Sequence, residues 1–314
     1  SAEIIRMLKK IIGRKNFLDG MDQFFKNQDG CACTLEDFQK DFELVLNKNL
    51  EKFFKWFHEP GTPKLVVSEK FVGKNYEVTF RQEKPTNQKK YSNKVIPITY
   101  KILNSKGQFL QPEKTLVLDK ETTSIALKNL SKKPAISLLN SFSAPVIVEF
   151  KQSIDDLFAI LEFETDFTSV WMTKKKLDYI ALEKIASDQP NVESVISRIY
   201  ELLINKVHTP SLLAKLLEPL NDNEYFSRLL ETTTPDPKAI QTDLRKYEDL
   251  YKRYFKEFSI TYFKSFIHNR QYLRENSNYQ ERLLACALMF LNKGTNFLDD
   301  FLDIIFNTSN NMSL

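Results

Sequence analysis

The sequence predicts a mixed α and β protein with its helices and strands in separate domains: a short helical segment at 1–62, an antiparallel β-sandwich at 63–150, and an irregular α-solenoid at 151–314. Apolar residues recur at helical spacing up to about residue 60. From Pro63 to Phe150 the pattern changes to short runs rich in Val, Ile, Thr and aromatics, separated by turn formers and with no helical stretch between them. From Ser153 onwards the helical spacing returns, with short links carrying Pro, Asn or Asp.

In the first segment, Ile4, Ile5, Leu8, Ile11 and Ile12 form one helical stripe that Gly13 stops. Phe17, Met21, Phe24 and Phe25 carry a second helix ending at Asp29-Gly30. Thr34 and Asp37 approximate a capping box for a third, with Leu35, Phe38, Phe42, Val45 and Leu46 on its stripe. Phe53, Phe54, Trp56 and Phe57 end a fourth before the breaker Pro60-Gly61-Thr62-Pro63. Strands are expected at Lys64–Val67, Tyr76–Phe80, Val95–Leu103, Thr115–Leu118, Ser124–Leu127 and Val146–Phe150. Helices are then expected at Asp155–Phe163, Val170–Ile185, Val192–Val207, Ser211–Leu217, Asn223–Leu230, Pro237–His268, Gln280–Leu291 and Asn296–Phe306. No strict repeat period is visible, so the helical array is irregular.

Composition excludes several classes. With 42% hydrophobic and 27% charged residues the chain can bury a sizeable core, so global disorder is excluded. Cys31, Cys33 and Cys286 form no disulfide framework and fit a reducing compartment, in line with the expectation of a cytoplasmic protein. No apolar run reaches the roughly 18 residues of a membrane span. The net charge of +4 is unevenly spread: residues 65–150 hold 14 Lys and Arg against 7 Asp and Glu. These lysines are scattered, without an aromatic-rich nucleic-acid signature. They read as the exposed faces and edges of a sheet, where charge discourages edge-to-edge pairing, rather than as a nucleic-acid patch.

No complete active site is legible. His58-Glu59 starts like a zinc hydrolase signature, but His-Glu-x-x-His needs a second histidine one turn on, and Thr62 stands there after the helix-breaking Pro60-Gly61. His208 and His268 lie at helix ends and read as packing or terminal residues. Cys31-Ala32-Cys33 has the wrong spacing for structural zinc, and Cys286 falls on an apolar helix face. Asp155-Asp156, Asp299-Asp300 and Lys174-Lys175-Lys176 read as solvated helix faces. No residue of this chain is therefore assigned as catalytic, cofactor-binding or metal-binding.

Several local sequences, in order along the chain, resemble the rear portion of the zinc-dependent aminopeptidase N family, most closely the bacterial alanyl aminopeptidases. Ser1-Ala2-Glu3-Ile4-Ile5-Arg6-Met7-Leu8 is similar to the family's Lys-Gly-Ala-x-Val/Ile-x-Arg-Met-Leu. Phe53-Phe54-Lys55-Trp56 with Gly61-Thr62-Pro63 resembles the junction at the end of its catalytic domain. Less specific matches are Phe142-Ser143-Ala144-Pro145-Val146, Asp166-Phe167 with Trp171, Asp236-Pro237 with Ala239-Ile240, and Asn310-Asn311-Met312. Ser1 replaces the usual Gly, and Glu59 a common Gln.

The resemblance implies that residues 1–62 are the helical end of a catalytic domain and that the parent protein is a zinc metalloaminopeptidase acting on peptides. Its amine-binding Gly-x-Met-Glu-Asn, its zinc-binding His-Glu-x-x-His with a further Glu, and its intermediate-stabilising Tyr would all precede Ser1. This portion would supply scaffold and chamber wall and hold no zinc itself. The alternative is a non-catalytic scaffold or protein-binding relative of the same fold, as in a transcription-initiation factor subunit. The helical array is expected to stop short, leaving Phe297, Phe301 and Ile305 partly uncovered or covered by a second copy. Helices 1–58 are expected to be the least protected, for want of catalytic-domain partners.

Overall fold

Helices α1 (Ala2–Ile12), α2 (Arg14–Gln28), α3 (Leu35–Leu46) and α4 (Glu51–His58) begin the chain. The computed structural model describes residues 2–85, 91–104, 106–206, 209–218, 220, 222–230 and 236–268. The chain divides into two units, the first ending at Ser169 and the second beginning at Val170.

The helix ends follow the sequence signals. Gly13, at φ 82°, takes the left-handed turn between α1 and α2 that a side chain would resist. Thr34 caps α3 reciprocally: the Asp37 N–H donates to Thr34 Oγ1 at 3.2 Å, and the Thr34 N–H donates to Asp37 Oδ2 at 2.9 Å. The shorter Asp thus closes the box that Glu normally closes.

Among the described residues seven strands follow: β1 (Lys64–Val72), β2 (Asn75–Glu83), β3 (Ile96–Leu103), β4 (Lys114–Leu118), β5 (Thr122–Leu127), β6 (Ala135–Leu138) and β7 (Ile147–Phe150). They form a four-stranded sheet, β5-β2-β1-β7, and a three-stranded sheet, β4-β3-β6. β1 and β2 run several residues beyond the expected ends because the tight Gly73-Lys74 turn lets the pairing continue to Val72 and Asn75. β6 was not expected. Its Ala135-Ile136-Ser137-Leu138 is too short and too poor in β-branched residues to stand out, yet it is buried and pairs with β3.

The expected antiparallel sandwich needs one correction. β7 pairs with β1 in parallel, Lys64 opposite Ile147 through Val67 opposite Phe150, so the larger sheet is mixed. The chain leaves β1, passes through both sheets and returns beside β1 in the same direction, which only a long connection permits.

β3 lies between two packed faces. Its even-numbered Ile96, Ile98, Tyr100 and Ile102 join the core formed with Leu65, Tyr76, Val78 and Phe80 of the larger sheet. On its other face Thr99 meets Lys10 of α1, and Leu103 packs with Ala135 and Ile160 of α5 (Ile154–Phe163). Burial on both faces explains why this strand reads as a nearly unbroken apolar run.

Met7, Leu8, Phe42, Phe53 and Phe54 of α1, α3 and α4 belong to the same core as the strands. α4 is held further by the Trp56 indole N–H, which donates to the Val95 carbonyl at 2.9 Å, and by the Lys52 ammonium on the Asp119 carbonyl. Helices 1–58 therefore do have partners within this chain, while Leu18, Phe25 and Leu44 remain exposed on α2 and α3.

The second unit holds most of α6 (Phe167–Ala186), then α7 (Val192–Asn205), α8 (Pro210–Leu217), α9 (Asp222–Leu230) and α10 (Pro237–His268). α8 starts as helices with Pro at the first position do, with the Thr209 hydroxyl accepting from the Leu212 N–H. α10 buries Ile240, Leu244, Tyr247, Tyr251 and Phe255, one stripe at helical spacing. Phe255 meets the Tyr200 ring of α7 edge-on at 4.9 Å, and Tyr179 of α6 stacks on Tyr225 of α9 at 6.2 Å. The expected helices Gln280–Leu291 and Asn296–Phe306, with Phe297, Phe301 and Ile305, lie outside the described residues.

Gly107 gives a direct test of this packing. It has φ 76°, and a Cβ there would sit 2.2 Å from Cγ of the Phe163 ring at the end of α5. Left-handed strain and overpacking add, so Gly107→Ala is expected to destabilise the first unit by at least about 2 kcal/mol, read from the denaturant midpoint. An unchanged midpoint would show that the 104–108 turn and α5 are not packed this way.

Candidate functional site

The richest polar constellation in the first unit surrounds the turn Leu139–Phe142 that follows β6. Leu139, Ser141 and Phe142 have φ of 56°, 54° and 48°, a conformation costly for side chains other than Gly. The turn persists because its polar groups are held from two sides. From α1, Arg6 Nη1 donates to the Ser141 carbonyl at 2.8 Å and Nη2 to the Phe142 carbonyl, while Lys10 Nζ donates to the Asn140 carbonyl at 3.3 Å. From the segment after α5, Asp166 Oδ2 accepts from the Ser141 N–H at 2.8 Å and its hydroxyl at 3.0 Å. Asp166 Oδ1 accepts from the N–H and hydroxyl of Ser169.

Beneath it, Glu164 is fully buried. Its Oε2 accepts from Asn140 Nδ2 at 3.0 Å, and its Oε1 from Lys101 Nζ at 2.7 Å and the Asp166 N–H at 2.8 Å. Burial pushes the carboxyls of Glu164 and Asp166 up, but the hydrogen bonds outweigh it and hold both below their ordinary values. Burial, with Arg6 nearby, lowers the Lys10 ammonium. Each of these charged groups already holds a carbonyl, a carboxylate or an N–H. The constellation is a clasp fixing α1 against the sandwich exit, and the Ser141 and Ser169 hydroxyls spend their hydrogens on Asp166 within it.

His58-Glu59 is structural too. His58 ends α4 and is exposed, and Glu59 turns away in extended conformation to accept from the Ser92 hydroxyl and from Lys94 Nζ at 2.9 Å. Lys94 is fully buried and also donates to the Lys55 carbonyl at 2.7 Å. Glu59 thus supplies the countercharge for a buried ammonium. The Ser92 hydroxyl first, then Lys94, hold its carboxyl down to about 2 against the opposing effect of burial.

Lys174 corrects the expectation of a solvated Lys174-Lys175-Lys176 face. In the second unit it is 1% exposed, pairs with the equally buried Asp178 at 2.7 Å and donates to the Glu218 carbonyl at 3.1 Å. Its ammonium lies 4.9 Å from the Tyr251 ring centroid, and Lys175 lies 4.4 Å from that of Trp171. Burial raises the Asp178 carboxyl even though Lys174 opposes the shift, and burial with Asp178 nearby raises the Tyr247 hydroxyl well above its ordinary value. Nothing in the spacing showed this: α6 is close to evenly apolar around its girth, so periodicity could not say which lysine turned inward.

Asp156 faces Lys133, which also reaches Glu69 at 2.7 Å, so the Asp155-Asp156 pair is half absorbed into packing. Cys31 and Cys33 are free and exposed on the α2–α3 loop. An open cleft of about 380 Å³ in the second unit is lined by Lys184, Asp188, Lys246, Asp249 and Arg253 among others, with both charges mixed. His208, Cys286 and Asp299-Asp300 lie outside the described residues, as does the side chain of His268. Among the described residues no group of three or more His, Cys, Asp or Glu could hold a metal ion. Nor, among them, is any helix long and apolar enough to cross a membrane.

Residues 61–151 match a family described as a domain of unknown function (DUF3458) with an Ig-like fold. Aminopeptidase N of Escherichia coli is 28% identical over 240 residues, covering 71% of this chain and 28% of that protein. Aminopeptidase N of Haemophilus influenzae is 27% identical over 251 residues, covering 75% and 29%. The crystal structure of Legionella pneumophila aminopeptidase A in complex with aspartic acid is 25% identical with a TM-score of 0.75, covering 96% of this chain and 35% of that one. The chain is thus similar to members of the aminopeptidase N family, as its motifs indicated, and spans less than a third of the length of these curated relatives.

Two measurements check the charge networks. Glu59 has a depressed carboxyl, so its contribution is complete above the ordinary carboxylate range and fades as pH falls toward about 2. Glu59→Gln should therefore destabilise the first unit near pH 7, and the gap to wild type should narrow steadily between pH 5 and pH 3 in urea titrations. A gap constant with pH would show that the charge on Glu59 does not matter. In the second unit, Lys174→Met leaves Asp178 buried without its cation and is expected to cost about 3 kcal/mol, whereas adding Asp178→Leu should restore most of it. A double variant as unstable as the single one would contradict the pairing.

Proposed function

We propose that this chain is part of a zinc metalloaminopeptidase that removes N-terminal residues from peptides, and that it supplies scaffold and chamber wall while other parts of the protein supply the zinc ligands and catalytic residues. The observation that carries this reading is the ordered similarity to aminopeptidase N over about three-quarters of the chain. The groups of the Arg6 clasp and the Glu59–Lys94 pair support the division of labour, since they hold helices, turns and strands together.

In this reading residues 1–62 close the catalytic domain, 63–150 form a spacer sandwich, and 151–314 form a superhelical wall that admits peptides and excludes folded proteins. The Arg6 clasp fixes α1, and with it the chain entering α1, so its rigidity serves the geometry of the neighbouring catalytic domain. Free exposed Cys31 and Cys33 suit a cytoplasmic protein.

The test compares the whole gene product with the 314-residue chain on alanyl p-nitroanilide, with zinc measured in both. The whole protein is expected to carry one zinc per chain and to hydrolyse the anilide until treated with a chelator; the 314-residue chain is expected to do neither. A whole protein without zinc and without hydrolysis on a panel of aminoacyl anilides would establish the non-catalytic scaffold reading instead.

A further inference from the structure

We propose that Cys31 and Cys33 form a two-sulfur site for a soft monovalent d10 cation of the copper(I) class, separate from any zinc chemistry of the family. Residues 31–34 are exposed, and both thiols are free. The loop that carries them is anchored on either side of the pair. The Cys31 N–H donates to the Gln28 carbonyl at the end of α2 at 3.0 Å, and the Thr34 N–H and hydroxyl are held by Asp37 in the capping box of α3. A single residue, the small Ala32, separates the sulfurs, so the chain keeps the two Cα atoms within about 7 Å, the range in which two thiols can act on one centre.

The donor set selects the ligand. Two sulfurs, with no further His, Asp or Glu ligand grouped with them among the described residues, cannot complete the tetrahedral shell of a structural zinc. Nor do they offer the oxygen ligands that calcium or magnesium require. Thiolates favour soft ions, and a d10 monocation is satisfied by few ligands. Binding exchanges two S–H bonds for two S–metal bonds and releases two protons; nothing is oxidised or reduced. The capping box does not involve the sulfurs, so α3 keeps its N-terminus when the site fills.

The experiment titrates the reduced 314-residue chain anaerobically with copper(I) in the presence of a chromophoric copper(I) chelator, with the copper-to-chain ratio read by native mass spectrometry. Wild type is expected to retain one copper per single chain. Cys31→Ser and Cys33→Ser, which alter exposed loop positions, should each weaken retention about 100-fold by removing the second tethered ligand. Cys286→Ser should leave it unchanged, and helix content by circular dichroism should be that of wild type in all three. If a variant loses helix content, alkylation of wild type at Cys31 and Cys33 replaces it and should abolish retention. No copper withheld from the chelator, one copper shared by two chains, or unchanged retention in either loop variant would each overturn the proposal.

Discussion

Strand β3 must be buried on both faces, and the first unit is arranged around that requirement. A strand with one wet face could leave its sheet open, but Ile96, Ile98, Tyr100 and Ile102 face the larger sheet while Thr99 and Leu103 face helices. The sandwich is therefore incomplete without α1 and α5. The residues that link those helices to it, Lys10, Lys101 and Glu164, are charged because they meet polar backbone or each other at the edge of that second face. Arg6 and Asp166 extend the same principle by fixing a turn whose backbone would not hold its conformation unaided.

Both units bury charge, and in both the charge is matched locally. Lys94 with Glu59 ties α4 to the strand connection, and Lys174 with Asp178 ties two turns of one helix beneath the aromatic stripe of α10. Such pairs add little net stability compared with apolar replacements, but an unmatched member is costly, so they penalise any packing that separates them. Their role is to specify a packing arrangement.

Periodicity and breakers made most of the fold legible. Pro237–His268 was readable to the residue, and Thr34 with Asp37 announced the start of α3. β6 was hidden because Ala135-Ile136-Ser137-Leu138 carries almost no strand signal and owes its conformation to pairing with β3. The parallel β1–β7 pair was hidden for another reason: local pattern predicts strands but not which distant strand becomes a neighbour. Lys174 looked like surface because a run of three lysines has no preferred side until α10 covers one of them. The clasp was not legible, since Arg6, Ser141 and Asp166 are separated by long stretches of chain and no local pattern joins them.

The parallel pairing also bears on how the polypeptide is made. β1 gains β2 as soon as the Gly73-Lys74 turn closes, but its other edge stays open until Ile147–Phe150 arrives, roughly eighty residues later. At about 5–20 residues per second, that is several seconds of synthesis with an unpaired strand edge carrying Leu65 and Val67. Lys64, which finally pairs with Glu149, keeps a positive charge on that edge in the meantime. The nascent chain is thus most open to wrong pairing with a neighbouring nascent chain during those seconds, and translation speed across residues 84–146 becomes a variable that bears on the yield of folded protein.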